Sequence, residues 1–164
     1  VATFPELLMQ RLPKRRLLQT LRFWPPYWGA GVRVVDVEGQ GDAVDAVTVE
    51  LELTALNRNA LGTAFGGSLY AMADPWFLLL LTWKLGPGYV VWDKAASIEF
   101  VRPGRGTVRG RFEVTSERAE AVRAEIAVAR EAEPKFDVEL LDLEGNVVAR
   151  VHKHLYARVP RRRR

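Results

Sequence analysis

Apolar and polar positions alternate in several stretches of this chain, and the alternation predicts strands. Val47, Val49, Leu51 and Leu53 interleave with Thr48, Glu50, Glu52 and Thr54, a period-two pattern with one wet face. Val32 to Glu38 reads as the strand before it, with Gly39-Gln40-Gly41-Asp42 as the turn. Tyr89 to Val101 reads as a third strand, followed by the turn from Arg102 to Gly106. Val108, Gly110, Phe112 and Val114 then alternate with arginines and Glu113. Phe136–Leu143 and Val147–Val159 form a closing hairpin across Glu144-Gly145-Asn146. Between residues 116 and 130, Val122, Ile126 and Ala129 fit a helical face, while Val122, Ala124, Ile126 and Val128 fit a strand. Ser116 as an N-cap followed by Glu117 favours the helix.

One segment breaks the period-two pattern. From Gly67 to Leu85 the chain is apolar nearly all round, which predicts an enclosed helix, and Gly86-Pro87-Gly88 stops it. Its most apolar part, Leu69 to Trp83, is too short for a membrane span and contains Asp74 and Pro75. Upstream, Pro5 to Phe23 reads as helical, broken or kinked at Pro13, with Leu7, Leu8, Leu17, Leu18 and Leu21 on one side. Its basic side suits an acidic membrane surface, or the segment packs on the body as a lid. Trp24-Pro-Pro-Tyr-Trp28-Gly reads as an extended linker. The pattern as a whole predicts an α+β fold. An antiparallel curved sheet of about six strands wraps around one central hydrophobic helix, preceded by an N-terminal helical segment. The organisation expected is a helical segment and linker over residues 1–30, the main domain over 31–159, and a basic tail over 160–164.

Charge narrows the partners. Lysine and arginine total 24 against 20 acids, and Arg161 to Arg164 contribute four of the positives, so the body without that tail is neutral. The remaining basicity clusters at Arg11, Lys14, Arg15 and Arg16. A neutral body lacks the electrostatic footprint of a nucleic-acid binder. There is no cysteine, which removes disulfides and thiol nucleophiles and suits the cytoplasm. The first twenty residues carry charges throughout and no apolar h-region, so no signal peptide is expected.

The candidate chemistry lies between Asn59 and Asp74. Gly66 and Gly67 at a helix start allow close approach to the backbone and leave N–H groups unpaired, which favours charge developing on a carbonyl oxygen. Asp74, two turns later, is a possible base or nucleophile; polarising donors plus a carboxylate suggest acyl transfer or hydrolysis. Plainer roles exist for each residue. Asp74 before Pro75 makes a good N-cap that restarts a kinked helix. Asn59 suits a left-handed turn, and the glycine pair suits close helix–strand packing. His152 and His154 share one face of a strand, too few ligands for zinc, so no metal is expected. No phosphate-binding loop and no serine nucleophile elbow occur, and no cofactor is implied.

These residues resemble the hot-dog-fold thioesterase superfamily, most of all the bacterial branch related to the phenylacetic-acid-degradation type of acyl-CoA thioesterase. The family's local pattern runs Asn, two residues, Gly, two residues, His-Gly-Gly, then an acid seven positions on. Asn59, Gly62, Gly66, Gly67 and Asp74 fall in register with it, and Phe100-Val-Arg-Pro103 matches the family's strand end. Phe65 stands where many relatives carry His. The resemblance implies a hot-dog fold and an acyl-CoA or other acyl thioester substrate. It implies that Gly66 N–H holds the carbonyl, Asn59 orients a water or the carbonyl, and Asp74 activates the water. Phe65 and Gly67 then lie against substrate. Asp93 and Ser97 are the nearest matches to a polar residue that the family carries in its third strand. Arg58, Arg102, Arg105 and Lys153 are available for coenzyme A phosphates.

Helix geometry adds a requirement of its own. Eight residues separate Gly66 from Asp74, about 12 Å along a helix, so one carbonyl cannot meet both in one chain. If both act on one thioester, a homodimer, or a tetramer built from it, must supply them from two copies. The alternative is a non-catalytic acyl or acyl-CoA binding module, which Phe65 in place of His favours. Hydration or dehydration of an enoyl thioester would want a His–acid pair, and none lies near the glycine pair.

Overall fold

The computed structural model describes residues 13–160. The chain proposed upstream of Pro13 (Pro5, Leu7, Leu8 and Arg11 among it) and the tail Arg161–Arg164 lie outside the described residues. Helix α1 (Lys14–Thr20) starts directly after Pro13, and a 3₁₀ turn follows over Leu21–Phe23. The expected extended linker is instead a second short helix, α2 (Pro25–Ala30). Its prolines occupy the first turn, where no intrahelical N–H is needed, and Gly31 closes it at φ 70°.

Strands β1 (Val32–Glu38) and β2 (Ala46–Leu51) lead into helices α3 (Gly66–Ala73) and α4 (Trp76–Leu85). Then come β3 (Val90–Phe100), β4 (Val108–Glu113), α5 (Ser116–Ala129), β5 (Glu131–Ala132), β6 (Lys135–Asp142) and β7 (Val147–Arg158). The strands form one antiparallel sheet in the order β1-β2-β4-β6-β7-β3, with the two-residue β5 pairing β7 off that path. The count is therefore seven rather than about six, the extra strand being short. Strand β3 follows the helices across to the far edge and pairs, among the described residues, with β7 alone.

The core forms where the inner faces of β2, β4, β6 and β7 meet the helices. Trp76, Leu80 and Leu81 of α4 are fully enclosed, and Phe77 packs on Phe112 and Phe136 at centroid distances of 5.3 and 4.9 Å. Burial of side chains of this size contributes about 1.5–3 kcal/mol each. The expected single helix from Gly67 to Leu85 is two helices, because Asp74 is extended at ψ 150° and ends the first. Trp76 Nε1 donates to the Met72 carbonyl at 2.6 Å, tying the halves together.

The helix favoured after Val114 forms, while its cap and the outward face of β2 differ from expectation. Residues 116–129 are helical, with Ala119, Val122 and Ile126 buried and Val128 89% exposed, the signature of a 3.6-residue period. The cap is Thr115, whose side chain accepts from Arg118 N–H, one position before Ser116. The outward face of β2 is not simply wet. Glu50 is buried between Arg33 and Arg109, its direct cross-strand neighbours on β1 and β4. No helix among the described residues is long and apolar enough to cross a membrane.

Candidate active site at the two ends of one helix

The predicted residues divide between the ends of α3. At its start, the loop from Asn57 to Phe65 is built by two asparagines. Asn57 is buried; it donates to the carbonyls of Ala30 and Glu52 and accepts from Thr54 N–H, all at 2.7 Å. Asn59 closes the tighter turn. Its Oδ1 accepts from the N–H groups of Leu61 and Thr63, its Nδ2 donates to Thr63 Oγ1, and Gly62 takes φ 76° between them. The Asn59 side chain thus bonds within its own loop.

Phe65 precedes the first turn of α3 in extended geometry, its N–H donating to the Asn57 carbonyl. The N–H groups of Gly66 and Gly67 have no acceptor among the described residues. Two exposed aromatic rings flank them. A Cβ on Gly67 would come within 2.3 Å of the Phe65 ring, and one on Gly66 within 2.9 Å of the Phe100 ring. Phe65 is 56% exposed and Phe100 55%. The glycines let the rings lie directly on the backbone of the helix start.

At the other end, the break after Ala73 turns the Asp74 side chain away from the helix axis, and no side chain caps α4. Asp74 is therefore not the N-cap that its place before proline suggests; extended backbone aims its carboxylate elsewhere. Lys153 Nζ donates to Asp74 Oδ1 at 2.7 Å and lies 2.9 Å from Asp93 Oδ1. The Lys153 side chain is 1% exposed, against 43% for Asp74 and 28% for Asp93. Burial alone would lower the Lys153 pKa, but the hydrogen bonds and charges of Asp74 and Asp93 hold it above the ordinary lysine value. The Tyr70 ring lies 5.7 Å from the ammonium, and the Tyr27 hydroxyl donates to the Asp74 carbonyl at 2.8 Å. Burial, and then the charge of Asp74, push the Tyr27 phenol well above its usual range.

Strand register explains who meets whom. Asp93 stands opposite Leu155, an inward position, and the register slips past Lys94 so that Ala95 faces His154. This bulge brings Asp93 to Lys153. Ser97 stands opposite His152, whose ring is exposed beside Asp137, so Ser97 shares the outward face and is not gathered with Asp74. His154 likewise turns out to Glu133. Lys153 does not reach out towards a coenzyme phosphate as expected; it falls in the inward row Val151, Lys153, Leu155, Ala157 and is spent on two carboxylates. That row was readable from the alternation, so Lys153 could have been found. Arg58, Arg102 and Arg105 are exposed, on two loops tied by Ala64 N–H to the Gly104 carbonyl.

The family model described as a domain of unknown function, DUF4442, matches residues 14–157. The chain belongs to the DUF4442 family. No match is found among curated proteins. This DUF4442 chain is similar in structure to a Pseudomonas aeruginosa protein of unknown function described as a probable thioesterase, with TM-score 0.79 and 20% identity, over 91% of this chain and 97% of that one. It is similar to a protein of unknown function from Chlorobaculum tepidum, with TM-score 0.70 and 16% identity, over 90% and 97%. It is also similar to a thioesterase from Haemophilus influenzae, with TM-score 0.62 and 14% identity, over 88% and 90%. At these identities the likeness is one of fold, and the fold of this DUF4442 chain is the hot-dog fold.

Proposed function

We propose that this chain is an acyl-CoA thioesterase acting as a homodimer, of the kind related to the phenylacetic-acid-degradation enzymes. The observation that carries the reading is the pair of features at the ends of α3: glycine N–H groups with no acceptor among the described residues at its start and a part-exposed carboxylate at its end. Gly66 N–H polarises the thioester carbonyl. Asp74 takes a proton from water as the water oxygen bonds to the carbonyl carbon. The C–S bond then breaks, and the proton passes to the departing thiolate. Asn59 supports the loop that presents Gly66, while Phe65, Gly67 and Asp93 border the acyl thioester, with Ser97 on the neighbouring strand face. Arg58, Arg102 and Arg105 are the exposed cations for coenzyme phosphates.

Homodimer formation follows from helix length, because Gly66 of one protomer must meet Asp74 of its partner. Strand β3 supports it: an eleven-residue edge strand with Val90, Trp92 and Phe100 exposed is a surface for pairing with a second copy. The lack of cysteine fits a cytoplasmic site of action.

A second reading, a non-catalytic acyl or acyl-CoA binding module, is favoured by the Phe65 and Phe100 rings over the helix start. One assay separates the two. Hydrolysis of a panel of acyl-CoAs is measured for wild type and Asp74→Asn, alongside equilibrium binding of the same panel. Turnover that falls about 10²- to 10⁴-fold in the variant supports the hydrolase. Equal rates remove Asp74 from the mechanism. Saturable binding without thiol release leaves the binding module.

A further inference from the structure

Lys153 has almost no exposed surface, and the hydrolytic scheme above gives it no part. An ammonium withdrawn from water is retained only where opposite charge and hydrogen bonds compensate it. Here two carboxylates from different elements converge on it: Asp74 from the break between α3 and α4, and Asp93 from the bulge in β3. Both oxygens contact one nitrogen, so they lie within about 6 Å of each other, close enough that the ammonium between them offsets their mutual repulsion.

Among the described residues, the surroundings offer no substitute cation. From α3 the Tyr70 ring faces the ammonium, and from α2 the Tyr27 hydroxyl is committed to the Asp74 backbone. From β6, Phe136 stands opposite Lys153, while Lys135 and Asp137 stand opposite the outward His154 and His152. Lys94, in the β3 bulge, pairs with Glu133 instead. Asp74 also spends only Oδ1 on Lys153, and its side chain keeps substantial exposure.

We propose that Lys153 is a positioning residue: its ammonium, shared by Asp74 and Asp93, fixes Asp74 with one oxygen presented outward to the attacking water. The inference rests on the thioesterase reading for its purpose, but the positioning itself can be tested without turnover. Full-length wild type, Lys153→Met, Lys153→Gln and Lys153→Arg are followed by carboxyl ¹³C relaxation of ¹³C-aspartate protein at neutral pH and by steady-state acyl-CoA hydrolysis.

In Lys153→Met the Asp74 carboxyl loses its fixed orientation, so its ¹³C order falls, and kcat falls about 10²-fold with KM little changed. Lys153→Arg returns both towards wild type. Carboxyl order unchanged in folded Lys153→Met overturns the proposal, whichever way hydrolysis falls. Should Lys153→Met not fold, Lys153→Gln, which keeps a donor but no charge, decides by the same measurement, and unchanged order there overturns the proposal. Wild type that hydrolyses no acyl-CoA overturns the thioesterase reading alone.

Discussion

The Tyr27 hydroxyl donates to the backbone carbonyl of Asp74 at 2.8 Å, joining a short N-terminal helix to the break between the two central helices. The two residues are 47 positions apart, and Tyr27 is 2% exposed, wedged between Trp24 and Trp76. This bond fixes the backbone from which the Asp74 carboxylate is aimed. Tyr27→Phe keeps the ring packing and strands the carbonyl. The expected cost is about 1–3 kcal/mol of unfolding free energy. Urea denaturation with unchanged m-value checks it, and the acyl-CoA hydrolysis rate falls with it if Asp74 is the base.

The same neighbourhood predicts lability in alkali. Tyr27 and Lys153 both have folded pKa values raised above their unfolded values of 10.0 and 10.5. A raised folded value means that the native state holds the proton more tightly than the unfolded chain. The stability from these two protons is complete below about pH 10 and is lost as pH rises above it. Unfolding free energy measured from pH 8 to pH 12 should fall beyond pH 10, and less steeply in Tyr27→Phe. An identical slope in the variant would exclude Tyr27 from the effect.

Much of this architecture was legible in the pattern of side chains. The alternation located β4 and β7 to within a residue, that of β2 ran three residues past the strand's end, and the all-round apolar run covered α3 and α4 together as one helix. Local chemistry misled where tertiary contacts outweighed it. The prolines at 25 and 26 suggested a linker, yet they sit in a first helical turn, where their missing N–H costs nothing. Asp74 before Pro75 suggested a cap, yet its partner is Lys153, 79 residues away. No periodicity could have announced the β3 bulge that brings Asp93 to the same ammonium, because register slips are settled by packing rather than by composition.

Phe65 marks the departure of this chain from the family pattern it resembles. Its ring is exposed and rests on Gly67, so a smaller imidazole fits the space and stability should change by no more than about 0.5 kcal/mol. Phe65→His supplies a donor beside the Gly66 and Gly67 N–H groups. In a hydrolase, kcat/KM should rise about tenfold or more. In a binding module, the same change should weaken acyl-CoA binding by removing an apolar contact, with no thiol released. Steady-state hydrolysis and calorimetric titration on one preparation separate these outcomes.

A composite site across two protomers makes a prediction that no single-chain site can share. Asp74→Asn disables the acid and leaves the helix start intact. Gly66→Trp displaces the Phe100 ring, which even a Cβ there would meet at 2.9 Å, and blocks the helix start, leaving the acid intact. Each variant alone should be inactive. Unfolded together at equal concentration and refolded, half of the dimers are hybrids, and each hybrid has one complete site and one doubly damaged site. About a quarter of wild-type activity per protomer should return. If Gly66 and Asp74 of the same chain served one substrate, the mixture would stay as inactive as its parts. Native mass spectrometry on the mixture, which separates the hybrid from both parent dimers by the added tryptophan mass, confirms that hybrids have formed, so a failure to recover activity counts directly against the cross-chain site.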